Sequence, residues 1–592
     1  MTQAARFLVT TALEETWAFD RPVLFLGEWA RLHHRREAWR GIDAVVAAPV
    51  GMDLVQRRRD FESLQALADR LLQELAASLN TEHRTRHSER YWRIVLGHWL
   101  PRYLSLAFNR YRAVECALAE HHVVGTAVLE FKDYTLATRD SLSFLWASND
   151  KVWNHVFYAR ALQHLGEPEP ERRMPARQAS GYAMPEATAR PKSDLRGRVV
   201  SFARNLLPGL RRETDAFILN THLSRFNEAL LQLSLMQVPQ LWSSPQPVDA
   251  VVDAGRREHL IDVSGTDGFE RFARALLCEV LPTCYLEGYP ALHAAVEDLP
   301  WPARPKFIYT ASSFDVDEGF KLWTASKVTQ GTPYFAGQHG AGYGSHLYMQ
   351  TKYVPELTAS DAFLTWGWTD GTLQTVPAFI FNAAGLKPRR SIREGGLLLV
   401  EASMLNQITH WDNYHEFGLY QEEQFRFAAA LPEHIRRQLT VRLHGSHRKF
   451  EWADVQRWQD RDPEIVIDTG SETIGRQMER SRLIVYAYDS TGILECLSLN
   501  IPVLCFWRDG LNHLSEESQI HYRRLIDVGI LVQGPDAVAE RVAEVWDNVG
   551  KWWDSPEVQE ARAAFCDQFA RSSPHPVRDL KTLLETLSRR AK

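Results

Sequence analysis

The chain has 592 residues, 45% of them hydrophobic, 24% charged and 11% aromatic. That composition supplies ample core and excludes a wholly disordered, collagen-like or coiled-coil chain. Lys plus Arg number 68 and Asp plus Glu 74, so the net charge is −6 and no cationic excess exists to neutralise nucleic-acid phosphates.

At ~100–200 residues per domain, the length suggests three or four domains or two large ones. Phe7–Ala12, Pro22–Gly27 and Asp43–Pro49 are short, apolar and bounded by turn residues, as buried parallel strands are. Helical spacing of apolar residues follows over Phe61–Leu79, Arg90–Phe108 and Arg112–Glu120. His83, His87, Arg90 and Arg93 form a polar stripe beside Tyr91 and Trp92, either a buried network or a surface for an acidic or sugar ligand. Residues 166–198 hold five prolines and, among Val, Ile, Leu and Phe, only Leu195, which predicts a mobile loop. It is either a plain insertion or a lid using Arg172, Arg173 and Arg177.

Regular alternation then begins. Strands are predicted at Asp215–Thr221, Lys306–Thr310 and Pro333–Gln338, with helices at Arg225–Met236, Phe269–Leu281 and Asp317–Thr329. A second series has strands at Leu397–Glu401, Leu439–Leu443, Glu464–Asp468, Leu483–Tyr488 and Pro502–Phe506. Its helices are Glu422–Ala430, Trp452–Gln459, Ser471–Arg480 and Gly492–Leu499. Alternating βα units imply parallel doubly wound sheets. We expect an α/β fold with two Rossmann-like domains facing a central cleft and carrying helical insertions. The N-terminal domain spans 1–390 on the acceptor side, the C-terminal ligand-binding domain 391–550, and closing helices 551–592.

Four segments carry chemistry. Gln338-His339-Gly340-Ala341-Gly342-Tyr343-Gly344 follows a predicted strand end, and its glycines permit close backbone approach to an anion. His339 either donates to a phosphate, carries a proton, or is structural. Asp489-Ser490-Thr491-Gly492 opens a helix, where hydroxyls and free N–H groups form an anion site, and Glu495 one turn on suits a ribose or sugar hydroxyl. Plain capping explains the same pattern. Arg442 and His444 share one strand face, with Arg448 and Lys449 beyond, and Glu401 and Ser403 close the neighbouring strand. These are candidate donor ligands or a solvated basic turn. Glu14 and Glu15 are either solvated acids or a general base for an acceptor hydroxyl.

The six cysteines (Cys116, Cys278, Cys284, Cys496, Cys505 and Cys566) are scattered with no CxxC pair, and read as reduced thiols. The short apolar run Phe7–Leu13 is no signal peptide, and no stretch nears the ~20 apolar residues of a membrane span. A cytoplasmic protein is expected, peripheral to the inner membrane at most. No GxxxxGK[ST], GxGxxG or GxSxG motif is present. Asp315-Val316-Asp317 reads as a helix cap and first-turn charge, so metal-independent chemistry without a cofactor is expected.

FLVTTALEETW, RPVLFLGEW, RYWRIVLGHWL, QHGAGYG and STGILECLSLNIPVLCFW together resemble an uncharacterised bacterial family of transferases from surface-carbohydrate loci. The resemblance spans nearly the whole chain. More distantly, the His-Gly loop and the Ser-Thr-Gly…Glu…Pro502 segment look like those of capsule Kdo transferases and bacterial sialyltransferases. The resemblance implies a GT-B fold and transfer of a sugar, a nonulosonic acid or Kdo, from a CMP-activated donor. The acceptor would be a surface glycan, lipid-linked glycan or glycoprotein. A polyol-phosphate transferase, a nucleotide-sugar epimerase and a non-enzymatic polysaccharide-assembly factor remain alternatives.

Overall fold

A computed structural model describes residues 4–184, 207–388, 394–407, 417–508 and 510–591. It is α/β throughout, and its strands form three five-stranded sheets in which every pairing is parallel. The first sheet joins β1 (Arg6–Val9), β2 (Val23–Phe25), β3 (Ala44–Val46), β4 (Val123–Leu129) and β5 (Glu171–Arg173) in the order β3-β2-β1-β4-β5. The second joins β6 (Phe217–Leu219), β7 (Ile308–Thr310), β8 (Tyr334–Gly337), β9 (Ala362–Thr365) and β10 (Thr375–Pro377), in the order β10-β9-β8-β7-β6. The third joins β11 (Gly396–Val400), β12 (Leu439–Arg442), β13 (Val466–Asp468), β14 (Ser481–Tyr486) and β15 (Val503–Cys505), in the order β13-β12-β11-β14-β15.

The span 1–390 thus carries two sheets where one domain was expected. The first sheet is itself doubly wound, with its order reversing between β1 and β4. The strand β4 reads VVGTAVL, and Gly125 inside it lies where a Cβ would be 3.3 Å from the Phe7 ring. The glycine admits a neighbouring aromatic rather than breaking the strand. Within the expected loop 166–198, Glu171–Arg173 instead forms the edge strand β5, fixed by Arg173 donating to the Trp17 carbonyl at 2.9 Å. Residues 185–198 of that segment lie outside the described residues.

The third sheet shows why its strands read as unbroken apolar runs. Leu398, Val400, Ile484 and Tyr486 face one core, whereas Leu397, Leu399, Leu483 and Val485 face the other. Successive residues of a strand point to opposite faces, so a sheet covered on both sides buries all of them. Helices Phe417–Ala430 and Pro535–Val545 pack together on one side. The final helix, Pro576–Arg590, leaves the third sheet and packs against helix Arg225–Ser234 of the second. In the stripe at 83–93, His83 stacks on Tyr289 with ring centres 4.1 Å apart, and the Tyr91 and Tyr289 hydroxyls are 2.7 Å apart. That is the packed network, not a ligand surface.

Candidate active site

Two of the sequence motifs meet between the carboxyl ends of the second and third sheets. The chain leaves β8 into Gln338, whose buried amide donates to the Gly340 carbonyl at 2.9 Å. Its oxygen accepts from the Trp366 N–H at 2.9 Å and the Trp368 indole at 2.8 Å. Gln338 therefore builds the loop, with its amide oxygen and one of its two amide hydrogens committed within the protein. Gly342 and Gly344 take φ +93° and +69°, in the left-handed region, and a Cβ on Gly344 would sit 2.3 Å from the Trp368 ring. Facing this loop, β14 runs into Asp489, Ser490 and the helix Thr491–Ser498.

The Ala341 N–H donates to Thr491 Oγ1 at 3.0 Å, and a Cβ on Gly340 would lie 3.4 Å from the same oxygen. Thr491 thus joins the two loops. Ser490 is the N-cap and only 8% exposed, yet its hydroxyl makes no capping bond; its side-chain neighbour is the Tyr488 phenol, with which it interacts weakly. A buried hydroxyl at a helix N-terminus, beside free backbone N–H groups, is where an anion completes the bonding. Gly492 serves packing instead, since a Cβ there would fall 2.2 Å from the Tyr486 hydroxyl. Glu495 Oε1 accepts from Asn382 at 3.1 Å, and the Asn382 oxygen lies 3.0 Å from His222 Nδ1. Burial raises the Glu495 carboxyl. The His222 ring lies 6.1 Å from that of His339, so one polar wall runs across the joint.

Behind His339 lies a buried chain of titratable groups. His339 Nδ1 is 3.1 Å from the Tyr343 hydroxyl, which donates to Glu356. Burial pushes the Glu356 carboxyl up to about 7 and holds the His339 imidazole down to about 4. His98 Nε2 stands 3.7 Å from Glu356, and burial pushes His98 down to about 3. Asp315 accepts from Arg102 at 2.7 Å. Burial opposes its ionisation, but Arg102 and His98 bring it down to about 2. In the Asp315-Val316-Asp317 segment only Asp317 is a cap, accepting from Phe320 N–H at 3.0 Å.

A second cluster ties the joint. Asp489 Oδ2 lies 3.0 Å from His346 Nε2, 3.1 Å from His513 Nε2 and 3.0 Å from the Tyr522 hydroxyl. Around it the Ser515 N–H donates to the Ser345 carbonyl at 2.8 Å and the Leu347 N–H to the His513 carbonyl at 2.9 Å. Among the described residues this trio is also the group whose ligand atoms lie close enough, within 4.8 Å of one another, to hold a metal ion.

The other predicted residues lie along the carboxyl edge of β11 and β12. Glu401 is buried and accepts from the Trp458 indole at 2.8 Å; burial and Asp454 push its carboxyl up to about 8. The hydroxyls of Ser403 and Ser446 are 2.6 Å apart, and His444 Nδ1 is 2.8 Å from Ser446. Arg442 is paired with Asp468 and donates to the Glu472 carbonyl at 3.0 Å, so its charge braces β12 against β13. Glu14 is held by Arg35 in a bidentate pair at 2.6 and 2.8 Å, which lowers its carboxyl. Glu15 accepts from the Ala176 N–H at 2.8 Å. Neither acid touches the His339 cluster. His98, His222, Glu356, Asn382, His346 and His513 escaped the sequence reading, because none sits in a local pattern that marks it.

The fold is α/β, with the loops after β8 and β14 meeting beside a reversal of strand order between β11 and β14, the place where doubly wound sheets commonly bind ligands. The chain belongs to the LIC12162 family of transferases, whose model matches residues 6–584. No curated protein matches it. Among solved structures, it is similar to MurG of Acinetobacter baumannii at 11% identity and TM-score 0.34, covering 63% of this chain and 99% of that one. It is also similar to the wall teichoic acid polymerase TagF, at 10% identity and TM-score 0.27 over 44% of this chain and 69% of the other. Spinosyn rhamnosyltransferase SpnG matches at 13% identity and TM-score 0.28, covering 50% and 79%.

Proposed function

We propose that this transferase is a metal-independent glycosyltransferase of GT-B type, moving a sugar from a nucleotide donor to a glycan, lipid-linked glycan or glycoprotein. The observation that carries it is the buried Ser490 hydroxyl, not engaged in capping, at a helix start that the His339 loop meets through the Ala341 N–H to Thr491 bond. The helix N-terminus and Ser490 would hold the donor phosphate. The ends of β11 and β12, with Ser403 and His444, would face the nucleoside, and Glu495 a sugar or ribose hydroxyl. A CMP-activated nonulosonic acid or Kdo is the donor the motifs favour.

The chemistry needs two things. As the bond between the anomeric carbon and the phosphate oxygen breaks, its electron pair leaves on the phosphate, and fixed N–H dipoles stabilise that charge. As the acceptor oxygen bonds to the anomeric carbon, its proton must leave, and His339 Nε2 is the base at hand. Glu14, committed to Arg35, passes this role to His339. The mechanism as proposed needs no metal, because the helix N-terminus supplies the stabilisation of the leaving phosphate. No cofactor and no nucleic acid enters. No described helix is long and apolar enough to cross a membrane; contact with one would come through a lipid-linked acceptor.

The test is product analysis with CMP-activated donors and a glycan acceptor, without added metal. A new glycosidic bond supports the reading. A phosphodiester product would make the protein a polyol-phosphate transferase, an altered free sugar an epimerase, and no turnover with any donor would oppose an enzymatic role.

A further inference from the structure

His339 meets Tyr343 through Nδ1, its other ring nitrogen is not engaged by that contact, and the group beyond Tyr343 is an acid that can change charge. We infer that Glu356, acting through Tyr343, sets which nitrogen of His339 carries the proton, and so switches the histidine between a base and a donor. This rests on the reading of His339 as the base.

The direction of each bond follows from donor chemistry. When Glu356 is ionised it can only accept, so the Tyr343 hydroxyl donates to it. The Tyr343 oxygen then accepts, and its partner, His339 Nδ1 at 3.1 Å, must carry the hydrogen. That leaves Nε2 with a lone pair, the form that takes a proton from an acceptor hydroxyl. When Glu356 is protonated, its O–H donates to Tyr343, the Tyr343 hydroxyl turns to donate to Nδ1, and the hydrogen of His339 moves to Nε2. In that state His339 donates and cannot act as base. Each state holds one proton per bond, and the two differ by the single proton taken up at Glu356.

The surroundings suit a switch. Glu356 is 4% exposed and Tyr343 3%, so water does not short-circuit the chain. Glu356 faces Tyr343 from the His-Gly loop and His98 from the start of helix Trp99–Glu120, with Arg102 of that helix and Asp315 after β7 acting at longer range. Tyr334 on β8 also feels its charge. Arg102 is committed to Asp315 at 2.7 Å, and His98 stays neutral, so no cation pins Glu356 in its ionised form. Its burial therefore places the change near neutral pH, at about 7. Glu356 and Tyr343 are positioning residues here, since neither touches substrate.

The experiment is nitrogen NMR of the full chain labelled in histidine, with the His339 signals assigned from the His339→Gln spectrum. Above the Glu356 transition the Nε2 signal should be that of an unprotonated nitrogen, and below it that of a protonated one. In Tyr343→Phe, which keeps the ring, that pH response should vanish. In turnover, Tyr343→Phe and Glu356→Gln should lower kcat at least roughly ten-fold, leave the donor KM within about two-fold, and remove the acid limb of the pH profile. A His339 tautomer unchanged between pH 6 and 8 in the unmodified protein would overturn the switch. Full activity in His339→Ala would instead sink the base assignment while leaving the tautomer result standing, so the two failures are told apart.

Discussion

His339 and Ser490 are the residues on which the proposed chemistry turns. A general base contributes roughly 10²–10⁴-fold. His339→Ala should therefore lose that much turnover while keeping its melting temperature, because the ring is half-buried at the cleft and only Tyr343 bonds it. Equal activity in the variant would contradict the role. Arg442 behaves in the opposite way. Its guanidinium is paired with Asp468, which would keep its hydrogen bonds from Gly470, Ser471 and Gln477 in Arg442→Ala. Losing one charged hydrogen-bond partner of a group that keeps others costs about 1–3 kcal/mol. Thermal denaturation should register that loss with nucleotide affinity largely kept, and a selective loss of affinity would restore Arg442 as a donor ligand.

At the level of elements, the loop 338–346 explains how much the sequence could reveal. Its glycines and its place at a strand end were legible locally, and Gly344 does need its positive φ. Gly344→Ala should strain the backbone and force the Trp368 ring aside. Each of these effects costs about 1–3 kcal/mol, and a melting temperature equal to that of the parent would show that the ring simply yields. The role of Gln338 was not legible, because its partners Trp366 and Trp368 lie 28 and 30 residues on. The same holds for Glu356 and His98, which reach His339 only through the folded chain. The helix start at Asp317 follows a capping rule that acts within four residues, whereas Ser490 stands at the N-cap of its helix without making the side-chain bond. The strand β4 was missed because its glycine, which makes room for Phe7, looks locally like a breaker.

Over the whole molecule, the chief departure from the sequence reading is the extra doubly wound sheet at the N-terminus. Helices around it press on the edge of the third sheet: the Tyr158 hydroxyl donates to Gln407 at 2.7 Å, and Trp146 stacks on Phe450 with ring centres 6.2 Å apart. Strand pairing between β1 and β4, more than a hundred residues apart, has no local signature. The second and third sheets are latched by Asp489 between His346 and His513. Burial opposes ionisation of Asp489, but the two histidines lower its carboxyl below the ordinary value. A lowered carboxylate adds stability above its unfolded value of about 4 and loses it as pH falls below that. Melting temperature should therefore fall more steeply on the acid side in the parent than in Asp489→Asn. Parallel acid limbs would remove the latch from the account.

The central claim is that a nucleotide donor sits with its phosphate at Ser490 in this joint. Its most direct test is thermal stability against CMP, CDP, UDP, GDP and ADP without metal, in the parent and in Ser490→Ala. A ligand at 100 times its dissociation constant stabilises the native state by roughly 2.7 kcal/mol, a readable shift. The account predicts a selective upward shift, with CMP foremost, that shrinks in Ser490→Ala. No shift with any nucleotide, or a shift of equal size in the variant, would contradict it.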